Sequence, residues 1–153
     1  MLTDCIMKKL ILLLFTVLMT FISQAQLLSF SPDFPLDNSN LSITMDANRG
    51  NKGLLNHPAA DVYVHTGVIT NLSTSSTNWR YVKFNQNFNL PNAQLQATSL
   101  GGNKWQFNIN DIRAYYGVPA GESILKVAIL FRSGDGTKKQ ANADGSDMFI
   151  PVY

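Results

Sequence analysis

Asp61–Lys83 reads DVYVHTGVITNLSTSSTNWRYVK, and the fold turns on how this stretch divides. Val62, Val64 and Val68 recur at even spacing, the period of two that sends successive side chains to opposite faces of a strand. A tract of mostly Ser, Thr and Asn follows, and Trp79 opens a second run to Phe84 in which Val82 and Phe84 read as the buried set. If the valines face a core, Tyr63 and His65 face away from it. Trp79, Tyr81 and Lys83 then share that outer face, provided the two runs pair through the Thr70–Asn78 loop. Aromatic rings gathered on a surface need a reason, because burying each one elsewhere would gain about 1.5–3 kcal/mol. A sugar ring supplies one. Its axial C–H groups pack on a flat π system while its hydroxyls bond to nearby Asn, Ser and Lys. On pattern alone a second assignment stays open, with Trp79 as the buried tryptophan of a sandwich strand and Tyr63 and His65 decorating a sheet.

Outward from this stretch, period-two alternation dominates and sustained helical periodicity is nearly absent. LSITM puts Leu41, Ile43 and Met45 on one face, and DANRGNKG after it is a tight loop. AQLQATS (residues 93–99) reads as a further strand, with Leu95, Ala97 and Ser99 aligned. Gly101-Gly102-Asn103 turns the chain into KWQFNI, where Trp105 shares a face with Phe107 and Ile109 and is assigned to the core. NDIRAYYG has a capping Asn or Asp and a closing Gly117, which predicts one short helical turn over Asp111–Tyr116. ILKVAILFR is apolar on both faces, as a central strand should be. SGDG turns it, and DMFIPVY closes the domain as an edge strand, where Pro151 is tolerable. The spacing predicts an all-β, immunoglobulin-like β-sandwich of seven to eight strands over residues 40–153, after a Pro-containing lead-in at 26–39.

The first 25 residues read as a secretory signal peptide. Lys8 and Lys9 precede an apolar run from Leu10 to Ile22, and Ser23-Gln24-Ala25 offers a cleavage site; the segment is too short and wrongly flanked for a membrane anchor. Met7 is the natural start of such a signal, with the six residues before it an upstream start codon. Export from the cytoplasm follows, to the extracellular space, periplasm or cell surface. Removing residues 1–25 from the 153 leaves 128, enough for one domain with a real core. The single cysteine, Cys5, goes with the signal, so neither a lipid anchor nor a disulfide is implied for the remainder. Taking away Asp4, Lys8 and Lys9 leaves ten basic and nine acidic residues, scattered along the chain. That balance argues against nucleic acid and against membrane insertion as modes of partnership. Glu122 is the only glutamate, and Asn, Ser, Thr and Gln take its place across the chain, a surface suited to neutral ligands rich in hydroxyls.

Catalysis reads poorly. A glycosidase needs two carboxylates flanking the sugar, and the spacing around Glu122 implies no partner. His57 and His65 lie in no nucleophile context. Asp46 and Asn48 in DANRGN offer a minor candidate for calcium, but the repeated acidic ligands and the distal Glu of a calcium loop are missing. No catalytic residue, metal or cofactor is assigned.

VYVHTG, a polar loop, NW, then GGNKWQFNI, LKVAILFRSGDG and SDMFIPVY together resemble starch-binding sandwich modules of carbohydrate-binding families twenty-five and twenty-six. The likeness is to the N-terminal domain of secreted α-amylase-family proteins and covers about Leu41 to Tyr153. In those modules a Tyr-x-His or Tyr-x-Tyr strand and the Trp after the next loop grip the α-glucan, which by position implies Tyr63, His65 and Trp79. Some members add a second Trp in the loop after the long apolar strand. Here that loop is RSGDGTKKQANADG, with no aromatic residue and only polar candidates: Arg132, Asp135, Lys138 and Lys139, of which Asp135 and Lys138 are assigned to the site. The resemblance implies a secreted, non-catalytic module whose partner is starch or a malto-oligosaccharide. The alternatives are the front of a secreted α-amylase-family hydrolase, with a catalytic domain downstream, and a structural spacer without ligand. A catalytic barrel takes about 250 residues, so this chain alone should hydrolyse nothing.

Overall fold

The computed structural model describes residues 26–84 and 87–153, so the signal peptide read at residues 1–25, with Met7 and Cys5, lies outside the described residues. Two antiparallel sheets face one another. The first contains β1 (Leu28–Ser31), β2 (Leu41–Asp46), β4 (Thr98–Gly101) and β5 (Lys104–Ile109), in the order β1-β2-β5-β4. The second is built on β6 (Ile124–Ser133), with β3 (Val62–Thr70) along one edge. Its other edge is shared end to end by β7 (Lys139–Gln140) and β8 (Met148–Pro151). Helix is confined, among the described residues, to α1 (Ile112–Tyr116) and one 3-10 turn at Ala93–Leu95. No helix of the described residues is long and apolar enough to cross a membrane. The protein is an all-β sandwich.

Alternation builds the core. Leu41, Ile43 and Met45 pair with Ile109, Phe107 and Trp105, so all six side chains leave the first sheet on one side. Val62, Val64 and Val68 meet them from the second sheet, beside Val127, Ile129 and Phe131. Each such burial contributes about 1.5–3 kcal/mol. Trp105 is 2% exposed and donates its indole N–H to the Ala59 carbonyl, as a buried tryptophan must. Polar Thr66 joins the inward row of β3. Thr66 is fully buried and gives its hydroxyl to the Ala128 carbonyl, with the Tyr116 hydroxyl as second partner. The short helix forms where the capping signal put it. Asp111 accepts from the Ala114 N–H, and left-handed Gly117 returns its N–H to the Arg113 and Ala114 carbonyls.

Three departures from the sequence reading matter. The lead-in is partly ordered sheet, because Leu28–Ser31 pairs with Ser42–Met45. AQLQATS begins as a 3-10 turn capped by Asn92, and only Thr98 onward is strand. The third bears on the site: Trp79–Phe84 is not a strand. Arg80 alone bridges β3, exchanging both backbone hydrogen bonds with Val68 at 2.8 and 2.9 Å. Tyr81 and Phe84 then take φ of 51° and 55°, left-handed values that break the alternation. Val82, not Tyr81, therefore joins Trp79 over the sheet.

Candidate functional site

The outer face of the second sheet carries the site. Along β3 this face presents Tyr63, His65 and Gly67, directly paired with Arg132, Leu130 and Ala128 of β6. Segment 79–84 lies across it as a strap. A Cβ on Gly67 would stand 2.9 Å from the Arg80 carbonyl oxygen and 3.1 Å from a Val82 methyl, so only glycine lets the strap come so close. Ala128 opposite is also small, and the strap with the 88–91 loop explains why Ala128, Leu130 and Arg132 are buried although they face away from the core.

The strap sets the Trp79 indole on the His65 imidazole, with ring centroids 5.5 Å apart and 25° between planes. Phe88 meets His65 edge-on at 5.5 Å, and Phe149 of β8 meets Trp79 edge-on at 6.4 Å. His65, Trp79 and Phe88 border an open cleft of about 500 Å³ floored by Leu130 and Val82, and Phe149 packs behind Trp79 outside the lining. Thr77, Asn78, Lys139 and Asp147 supply its polar groups. Burial pulls the His65 pKa below its ordinary value, and the Arg132 charge pulls the same way, with Asp147 opposing. Both effects favour the neutral imidazole, a flat, partly apolar surface.

The assigned residues are only partly brought together. His65 and Trp79 meet in the cleft. Tyr63 lies one row along the same face and is absent from the lining; its ring packs on the Arg132 guanidinium at 5.6 Å, with Phe88 on the same guanidinium at 5.1 Å. Arg132 donates from Nη1 to the Ser133 and Gly134 carbonyls and from Nη2 to the Leu90 carbonyl, so the Tyr63–Arg132 pair fixes the 88–91 loop instead of lining the cleft. Asp135 and Lys138 are not in the lining either. The Asp135 carboxylate accepts from Ser133 Oγ at 2.6 Å and from the Thr137 N–H and hydroxyl, which closes the turn after β6. Those bonds, the Ser133 one first, draw its pKa down to about 2. Lys139 occupies the place proposed for Lys138, because it pairs with Arg132 and so shares the outer row.

The sequence reading missed Phe88, Asp147 and the supporting Phe149, and it named Lys139 as a polar candidate without assigning it to the site. Alternation with buried Met148 and Ile150 could have found Phe149; nothing local marks Phe88. Glu122 has partners that its spacing did not suggest. It is 4% exposed and accepts from the Thr70 hydroxyl, from Arg80 Nε at 2.6 Å and from the Tyr81 hydroxyl at 2.6 Å. The Thr70 and Tyr81 hydroxyls, aided by Arg80, lower its pKa to about 2. At the calcium candidate, Asp46 Oδ1 accepts from the Asn48 backbone and side chain, and Lys104 lies 3.9 Å from Oδ2. Among the described residues no three His, Cys, Asp or Glu side chains converge. No protein-family model matches the chain, and no curated protein matches it.

Proposed function

We propose that the protein is a secreted, non-catalytic carbohydrate-binding module for starch-type α-glucans, with Trp79 as its platform. The observation that carries this reading is the Trp79–His65 stack at the wall of an open cleft whose other groups are an amide, a hydroxyl, an ammonium and a carboxylate. Apolar flat surface beside a few convergent polar groups is the chemistry a pyranose needs, with its C–H face on the ring and its hydroxyls on the rim. The state of Glu122 supports the non-catalytic part. A general acid needs a raised pKa, whereas this carboxylate is held ionised by three neighbours and is not among the groups lining the cleft. The apolar run and cleavage site at residues 1–25 support export.

The spacer reading also has an observation in its favour: one face of the Trp79 ring is already taken up by His65 and one edge by Phe149. Affinity electrophoresis separates the two. Native gels containing starch or pullulan should retard the protein, and gels containing cellulose derivatives should not. Equal mobility in all of them would overturn the binding reading and leave the spacer.

A further inference from the structure

We infer that Glu122 is a positioning residue for the Trp79 platform, tying the strap that carries the indole to the end of β3; this rests on the α-glucan reading of the cleft. Three donors converge on the carboxylate from two places. Thr70 is the last residue of β3, while Arg80 and Tyr81 directly follow Trp79. Arg80 adds a second contact, Nη2 to Oε2 at 3.3 Å. The Glu122 backbone is itself held from behind. The Glu122 N–H donates to the Pro119 carbonyl, and Arg113 Nη1 donates to the Glu122 carbonyl at 3.0 Å while its Nη2 pairs with Asp37 at 2.6 Å.

The strap needs such an anchor. Tyr81 sits at φ 51°, a conformation an aromatic residue does not hold unaided. Its hydroxyl bond to Glu122 keeps it there. Beyond Glu122, the strap is fastened by the two Val68–Arg80 backbone bonds and by Lys83, whose N–H reaches the Thr66 carbonyl at 2.9 Å. Losing the carboxylate frees Tyr81 to return to extended backbone. The register that lays the Trp79 ring on His65 then goes with it.

The chain has two tryptophans, and Trp105 is buried, so accessible tryptophan emission reports Trp79. In the full chain, well below the thermal midpoint, Glu122→Gln should raise the acrylamide quenching constant about twofold and weaken starch-gel retardation about tenfold, the factor that 1.4 kcal/mol represents. Arg80→Gln, on a side chain 34% exposed, should reproduce both effects and settles the matter if Glu122→Gln does not fold. Ile43→Val lowers stability from the opposite sheet and should leave quenching unchanged. The inference is overturned if neither latch variant changes quenching, or if Ile43→Val changes it equally. Should the wild type migrate freely through starch, the glucan reading falls, and the quenching comparison still decides whether Glu122 positions Trp79.

Discussion

The Trp79 indole rests on the His65 imidazole, at 5.5 Å and 25° between planes, although the polar loop of residues 71–78 separates Trp79 from the end of β3. The contact makes Trp79 half-buried, neither a free surface ring nor a core residue. Trp79→Ala should therefore abolish retardation in starch gels with a moderate fall in thermal midpoint. Trp105→Ala should cost the ~3–5 kcal/mol of a core aromatic truncation. His65→Ala should weaken retardation less than Trp79→Ala, since it withdraws the support and not the platform. Melting curves beside gel mobilities check the pattern. A Trp79→Ala protein retarded like wild type would remove Trp79 from the site.

A second test leaves the cleft residues in place. Gly67→Ala puts a methyl 2.9 Å from the Arg80 carbonyl oxygen, so the strap must lift. Overpacking of this kind costs about 1–3 kcal/mol. Starch retardation should fall together with the midpoint, and quenching of Trp79 should rise. Unchanged quenching would show that the strap does not depend on its close approach to β3.

What the sequence revealed and what it hid follow from the range of the forces involved. Val62, Val64, Val68 and the Trp105–Ile109 row were legible because period two is imposed by each strand's own backbone. The Asp111 cap and Gly117 stop are similarly local. The path of Trp79–Phe84 was not legible. Left-handed backbone at Tyr81 and Phe84 has no glycine to announce it, and the Tyr81 hydroxyl finds its partner in Glu122, distant in the chain. Phe88 was hidden for the same reason, since its place depends on Arg132 across the sheet. Leu28 and Phe30 do alternate, but Pro32 and Pro35 beside them made β1 read as irregular lead-in.

Acid should destabilise the fold through identifiable groups. Glu122 and Asp135 titrate near 2 in the folded protein, below their ordinary values of 4.5 and 3.8. A lowered carboxylate pKa adds stability that is fully present above the ordinary value and is lost as pH falls through the folded one, here between about 4.5 and 2. His65 acts higher. Its folded pKa lies below 6.5, so the unfolded chain binds the proton first and stability declines as pH drops below that value. Midpoints measured from pH 7 to pH 2 should fall in both windows. Glu122→Gln should flatten the lower window, and His65→Gln the upper one. A midpoint that does not change between pH 7 and pH 5 in the wild type would contradict the burial of His65.

The two neighbouring lysines offer the sharpest separation between the rim as built and the rim first assigned. Lys139 pairs with Arg132 across β7 and β6 and lines the cleft, whereas Lys138 is exposed and outside the lining. Each is a surface cation, so removal of either should change stability by no more than about 0.5 kcal/mol. Their effects on binding should differ. Lys139→Ala withdraws a donor from the sugar hydroxyls and should cost about 0.5–1.5 kcal/mol of affinity, the worth of one hydrogen bond. Lys138→Ala should leave mobility in starch unchanged. Asp147→Asn on the rim should behave like Lys139→Ala, while Asp135→Asn, which loosens only the Ser133–Thr137 turn, should lower the midpoint without altering retardation. If Lys138→Ala and Asp135→Asn abolish retardation and Lys139→Ala and Asp147→Asn do not, the sugar sits beyond the turn and not against the Trp79–His65 stack.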